Sequence, residues 1–165
     1  MAAIEIVRAG PEHAALLLQF IRSLAQYEKL SDQVVATEES LKEAMFGGRS
    51  VAEALIAYYD GQPAGMALYF HNFSTFLAKP GLYLEDLFVE PQYRGRGIGK
   101  ALLAEVAAIA VERNCGRLDW AVLHWNEPAI RFYENLGATA LRDWVLFRLS
   151  GEALTRLAQS RTARC

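Results

Sequence analysis

The sequence predicts an α/β (α+β) fold, a mixed and mostly antiparallel sheet flanked by helices. Three observations predict it. Two apolar runs, residues 51–59 and 64–70, are joined by Asp60-Gly61, and Asp-Gly between apolar runs is a strong hairpin signal. A third run, 81–89, leads through a glycine-rich turn into a long helix and then a further strand. Such a passage without a hairpin implies a right-handed crossover and a locally parallel pair. Near the start, residues 14–27 carry Leu17, Leu18, Ile21, Leu24 and Ala25 at helical spacing, an amphipathic helix able to cover a sheet.

Taken in order, residues 4–8 alternate and read as a strand, and Pro11 sits where a helix can begin. Thr37-Glu38-Glu39-Ser40 reads as a capping box, with its glutamate one place off the ideal, opening a short helix that runs to about Phe46 and stops at Gly47-Gly48. The hairpin strands and the third strand follow; Pro91, which brings no N–H, ends the ladder. The long helix runs to about Arg113. Residues 117–123 read as a strand, 128–136 as a short helix, 144–149 as a last strand and 152–161 as a C-terminal helix.

Composition bounds the partners. A chain of 165 residues is read as one domain, 1–165, long enough to bury a core. Hydrophobic content of 53% and charged content of 22% are those of an ordinary globular protein. The net charge of −2 leaves no basic excess to neutralise phosphates, which argues against a nucleic-acid partner. Cys115 and Cys165 show no metal spacing, His13, His71 and His124 lie far apart, and no metal is expected; a reducing, cytoplasmic setting is the simpler inference. Residues 1–5 lack the basic and apolar regions of a signal peptide, and no run approaches 18 apolar residues, so no membrane partner is expected.

The stretch from Tyr83 to Lys100 organises the rest. A strand, a glycine-rich turn and a helix aim free backbone N–H groups and a helix dipole at one spot, which suits a phosphate. A P-loop is excluded, because Arg94 stands where its first glycine is needed and Ala101 where its hydroxyl is needed. A dinucleotide fingerprint is excluded too, because Gly95, Gly97 and Gly99 fall at every second position. What remains is Arg94-x-x-Gly97-x-Gly99, set between a strand and a helix. It resembles the Arg/Gln-x-x-Gly-x-Gly/Ala signature of the GNAT superfamily of N-acetyltransferases. In that family the turn cradles the pyrophosphate of coenzyme A. A solvated turn with a tight helix start is the competing reading.

A second stretch, Trp125-Asn126-Glu127-Pro128-Ala129 through Tyr133 to Gly137, offers a helix cap at Asn126 and Pro128 in the first turn. Asn-x-x-Ala-x-x-x-Tyr resembles the other half of the acetyltransferase site. The resemblance implies that Asn126 holds the cofactor arm and that Tyr133 protonates the departing thiolate. A phenol with pKa about 10 suits an alkyl thiolate of similar basicity. Tyr133 as a packed aromatic is the alternative. A third stretch is Glu85-Asp86, two acids inside an apolar strand, which opposes β propensity and points to a site. Adjacent strand residues face opposite sides, so only one of the two is expected in a given pocket. Glu85 is favoured to attract an ammonium and accept its proton, directly or through water; Asp86 reads either as a second site group or as a buried structural acceptor.

The likeness is finer than the superfamily. Leu24-Ala25-Gln26-Tyr27-Glu28, Gln33-Val34, Thr37-Glu38, Phe46-Gly47, Tyr83-Leu84-Glu85-Asp86, Tyr93-Arg94-Gly95 and Trp125-Asn126-Glu127-Pro128 are similar to the diamine (spermidine/spermine) N-acetyltransferases, over about residues 4–149. That resemblance implies the GNAT fold, its sheet splayed at the cofactor site, with acetyl-CoA as co-substrate and direct attack by a primary amine. It places cofactor contacts on Leu87, Phe88, Val89, Arg94, Gly95, Arg96, Gly97, Ile98, Gly99, Lys100, Asn126, Pro128 and Ala129. Tyr27, Glu28, Glu85, Asp119, Trp120 and Ala121 fall on the amine. It also implies a homodimer. The sequence departs from the animal enzymes in a short connection over 138–144 and in Lys100, which replaces a small residue. Polyamine-like and lysine-like amines, thialysine among them, both remain open as substrates. So do a protein N-terminus or lysine side chain as acceptor, and a coenzyme A-binding protein without turnover.

Overall fold

The computed structural model describes residues 3–161, and the chain divides into two compact units, Met1–Leu123 and His124–Cys165. Cys165 lies outside the described residues.

The first unit holds a five-stranded sheet in the order β1-β2-β3-β4-β5: Ile4–Arg8, Glu53–Tyr59, Gln62–Ser74, Lys79–Val89 and Leu118–Trp120. All neighbours are antiparallel except β4 and β5, the parallel pair expected of the crossover. The β2–β3 turn has Tyr59 opposite Gln62, with Asp60 (φ 49°) and Gly61 (φ 74°) both in the left-handed region. This is the two-residue hairpin that Asp-Gly favours, because its twist matches that of the flanking strands.

Helix α1, Ala14–Tyr27, and helix α2, Glu38–Phe46, cover one face of the sheet. Leu17 and Phe20 of α1, Met45 of α2, and Ile56, Met66 and Phe88 of the sheet form a single buried cluster. The cap of α2 is reciprocal: Thr37 Oγ1 accepts from the Ser40 N–H at 3.1 Å, and Ser40 Oγ accepts from the Thr37 N–H at 2.9 Å. The box therefore closes on Ser40 rather than on a glutamate. Helix α3, Ile98–Glu112, packs on β2, β3 and β4 and buries Ile98, Leu102, Val106 and Ile109. Leu55, Ala57, Ala67 and Tyr69, out of phase with the α1-side cluster, are buried as well, so the sheet is covered on both faces. Arg113, just past α3, donates through both terminal nitrogens to the Glu53 carboxylate, one bond being 2.8 Å; this bidentate pair fastens the end of the helix to β2.

Two irregularities in the sheet position the site. A bulge at Ala57/Tyr58 leaves Ala64 of β3 without a partner on β2. A second lies opposite Leu68/Tyr69: Tyr69 faces Leu84 and Leu68 faces Asp86, leaving Glu85 as the extra residue on β4. The β4–β5 ladder covers only Leu82 to Leu84 and ends where that bulge begins. Beyond it β4 continues along β3 alone. This also corrects the expected strand over 117–123. Only Leu118–Trp120 is a strand, because beyond Leu84 the bulged β4 is no longer in register to pair with it.

The second unit has two helices, α4, Glu127–Asn135, and α5, Gly151–Gln159. The strand expected over 144–149 does not form. Trp144 and Phe147 are 79% and 90% exposed, and none of the described residues of this unit is a strand. Apolar, β-favouring composition nominated the segment, but a strand exists only where another backbone completes its ladder.

Candidate active site

The glycine turn is built as the sequence predicts. Gly95 (φ 74°) and Gly97 (φ 84°) occupy the left-handed region, where a side chain is strained, and Gly97 caps α3. The first helical bond runs from the Ala101 N–H to the Gly97 carbonyl at 2.9 Å, so the N–H groups of Ile98, Gly99 and Lys100 precede the regular ladder. Among the described residues no side chain caps this helix, and its first turn holds no acid. A Cβ built on Gly95 or Gly97 meets nothing within 4 Å, so the space before the turn is open. Lys100 places a cation at the positive end of the helix dipole, an unfavourable position that an anion in the turn would relieve. These features fit a pyrophosphate.

The two arginines of the turn reach elsewhere with their side chains. Arg94 donates from Nε to the Val89 carbonyl at 2.9 Å, and its guanidinium lies 4.8 Å from the ring centre of Tyr27 and 5.9 Å from that of Phe88. Arg96 donates to the Tyr59 hydroxyl at 3.2 Å and stacks on that ring at 5.0 Å. Both side chains are thus held by protein groups, and the cradle is left mainly to backbone N–H groups. Leu87, Phe88 and Val89 lie on β4 past the end of the β5 ladder, where the strand has no neighbour on that side among the described residues.

The bulge changes how the two acids are read. Strict alternation would separate Glu85 from Asp86, but an extra residue in the strand breaks alternation at this point. The carboxylates sense each other. Burial first, then the charges of Glu85 and Glu28, push the Asp86 carboxyl up to about 6. Burial also raises Glu28, which caps the end of α1 with its N–H on the Leu24 carbonyl. Glu85 and Glu28 thus lie close enough to Asp86 for their charges to act on it, and Tyr27 directly precedes Glu28 at the end of α1. Of the residues predicted to contact an amine, Glu28 and Glu85 lie near Asp86, and Tyr27 adjoins Glu28. The signal for Asp86, a second acid in an apolar strand, was present in the sequence; the bulge that makes it an equal of Glu85 was not.

On β5 the Asp119 carboxylate accepts from Asn72 Nδ2 at 3.2 Å and pairs with Arg117 at 2.8 Å. Its charge is paired with Arg117, which immediately precedes the strand. Trp120 is half-buried opposite Leu84, and Ala121 is exposed just past the strand. Cys115 is half-buried after α3. Among the described residues no three His, Cys, Asp or Glu side chains gather as metal ligands.

In the second unit Asn126 is buried, and its side-chain oxygen accepts the Ala129 N–H at 3.4 Å, with Pro128 in the first turn of α4. Gly137 (φ 90°) follows the helix end. Tyr133 lies on the last turn of α4, half-buried, its ring 5.3 Å from that of Phe132.

The Acetyltransferase (GNAT) family matches residues 19–138 of the chain. The chain belongs to this family. It is accordingly an N-acetyltransferase, and the mixed sheet is the family's fold. The chain is 40% identical to the thialysine N-epsilon-acetyltransferase of Bos taurus, covering 96% of this chain and 99% of the relative. It is 31% identical to the L-ornithine N5-acetyltransferase NATA1 of Arabidopsis thaliana, covering 88% and 84%. Among solved structures, an integron cassette protein from the mobile metagenome of V. cholerae matches with a TM-score of 0.80 and 32% identity, over 95% of this chain and 98% of that one.

Proposed function

We propose that this N-acetyltransferase moves an acetyl group from acetyl-CoA to the terminal primary amine of a small lysine-like or polyamine-like substrate, by direct attack of the amine. The observation that carries the substrate class is the grouping of Glu85 and Asp86 at the β4 bulge with Glu28 at the end of α1, β4 being the strand that leads into the glycine turn. A cluster of carboxylates attracts an ammonium. Glu85, exposed at the bulge, accepts the ammonium proton directly or through water, leaving the free amine that a thioester requires. Glu28 and Asp86 hold the positive charge as it approaches. Thialysine and ornithine, named for two relatives, each carry a terminal amine on a short chain, which favours the lysine-like end of the range.

The backbone N–H groups of the 95–100 turn bind the pyrophosphate, and the open edge of β4 at Leu87–Val89 receives the pantetheine arm. For Asn126 and Tyr133 the support is the resemblance together with the local build of α4: Asn126 holds the cofactor arm and Tyr133 reprotonates the departing thiolate. On the same resemblance we read the chain as a single catalytic domain, 1–165, that works as a homodimer in the cytoplasm. The family match runs through the boundary between the two units, as one domain requires.

The test is release of free thiol from acetyl-CoA across thialysine, ornithine, lysine, putrescine, spermidine, spermine and N-terminal peptides, with wild type and Tyr133→Phe. Turnover is expected on a small amine and not on the peptides, falling by ~10²-fold or more in the variant. Undiminished turnover in Tyr133→Phe removes that residue from the acid role. Activity confined to peptides removes the small-amine reading.

A further inference from the structure

The side chain of Arg94 is committed three times over, to the Val89 carbonyl, the Tyr27 ring and the Phe88 ring. These partners come from different parts of the site. Val89 ends β4, where the cofactor arm is proposed to lie. Phe88 is anchored in the core against Phe20 of α1, with ring centres 6.0 Å apart. Tyr27 is the last residue of α1 and precedes Glu28 of the carboxylate cluster. The Arg94 backbone, in turn, leads directly into Gly95 and Gly97. A bidentate phosphate-binding arginine keeps its guanidinium for the anion; here the Nε donor is spent on a main-chain carbonyl and the planar face on aromatic rings.

We propose that Arg94 is a positioning residue which couples cofactor binding to the amine pocket. Occupation of the glycine turn fixes the backbone at residues 94–97, which fixes the aim of the Arg94 side chain. The stacked guanidinium then holds Tyr27, and with it the end of α1 that carries Glu28. The enzyme thereby assembles its amine pocket fully only once the acetyl donor is in place. This rests on the proposed acetyl-transfer reading for its purpose, but the mechanical link is independent of which amine is used.

Two measurements separate the link from the reading. The first is amide hydrogen exchange of the protein with and without coenzyme A. The N–H groups of Glu28, Lys29 and Leu30 bond back to Leu24, Gln26 and Ala25 and report the order of the α1 terminus. Coenzyme A is expected to slow their exchange in wild type and in Tyr27→Phe, which keeps a ring to stack on, but not in Arg94→Lys or Tyr27→Leu. Unchanged exchange in wild type overturns the proposal, whatever the enzyme acetylates. The second is a kinetic cycle over Arg94→Lys, Tyr27→Leu and the double variant, using whichever amine turns over. Each single change is expected to raise the amine KM by about 5-fold, the low end for coupled sites, with the double no worse than either alone. A weaker acetyl-CoA affinity in Arg94→Lys with an unaltered amine KM would mean that Arg94 is an ordinary phosphate ligand. Additive effects in the double variant would mean that the two side chains act independently, which overturns the link.

Discussion

At Asp86 a single ionisation would join stability to the proposed amine pocket. Its carboxyl is raised from an ordinary 3.8 to about 6, by burial first and then by Glu85 and Glu28. The folded chain therefore holds this proton more tightly than the unfolded chain. Stability falls as pH rises from about 4 to about 6 and stays lower above that window. A shift of about two units corresponds to at most about 3 kcal/mol, reduced to ~1–2 kcal/mol by partial exposure. Asp86→Asn is expected to raise the midpoint of thermal unfolding at pH 7.5 by about 3–6 °C and to flatten the stability profile between pH 4 and 6. The same change is expected to raise the amine KM about tenfold, because one carboxylate charge is gone. Parallel pH–stability curves for wild type and variant would place the proton elsewhere. Two acids in an apolar strand stand out against β propensity, but the bulge that would let both serve one pocket depends on the register of β3, which no local pattern encodes.

At the scale of elements, the glycine turn and α3 show how a backbone conformation creates a site. Gly97 caps α3 at φ +84° with open space where a Cβ would sit, so Gly97→Ala carries only the left-handed backbone penalty of about 1–2 kcal/mol. It is expected to lower the unfolding midpoint by a few degrees and to weaken acetyl-CoA binding, read by calorimetry, by about tenfold as the turn relaxes and its N–H groups lose their common aim. Gly48→Ala, also in open space but without a positive φ, is the control and is expected to shift stability by no more than about 0.5 kcal/mol. If both variants behave alike, the conformation of Gly97 is not what the turn depends on. Elements with chemical punctuation were legible: α1 over 14–27, the Asp60-Gly61 hairpin and the start of α3 at Ile98 all coincide with a proline, turn or glycine signal. Where the limit is set by a neighbour, the sequence was silent. β3 runs on to Ser74 because β4 pairs with it that far, and β5 stops at Trp120 because β4 bulges.

Taken whole, the molecule distributes its apolar surface unevenly. The fully buried apolar side chains run from Ala14 to Ala110, all within the first unit. In the second unit Leu141, Trp144, Val145, Leu146, Phe147, Leu149, Leu154 and Leu157 are all exposed. Exposed apolar side chains in such number suit a contact with another surface. The segment over 144–149 has strand composition but no ladder, so its backbone groups as well as its side chains want a partner. The homodimer proposed above would supply one, a second copy of the chain. Two chain lengths decide this by light scattering after size exclusion. The full chain at micromolar concentration is expected to elute as a dimer. A chain ending at Leu123 is expected to be monomeric, to unfold in one cooperative step because the core is retained, and to release no thiol because Asn126 and Tyr133 are gone. A monomeric full chain would remove the second copy as the occupant of this surface. A shortened chain that still dimerises would move the interface to the sheet unit and leave the exposed 144–149 segment without a role in assembly.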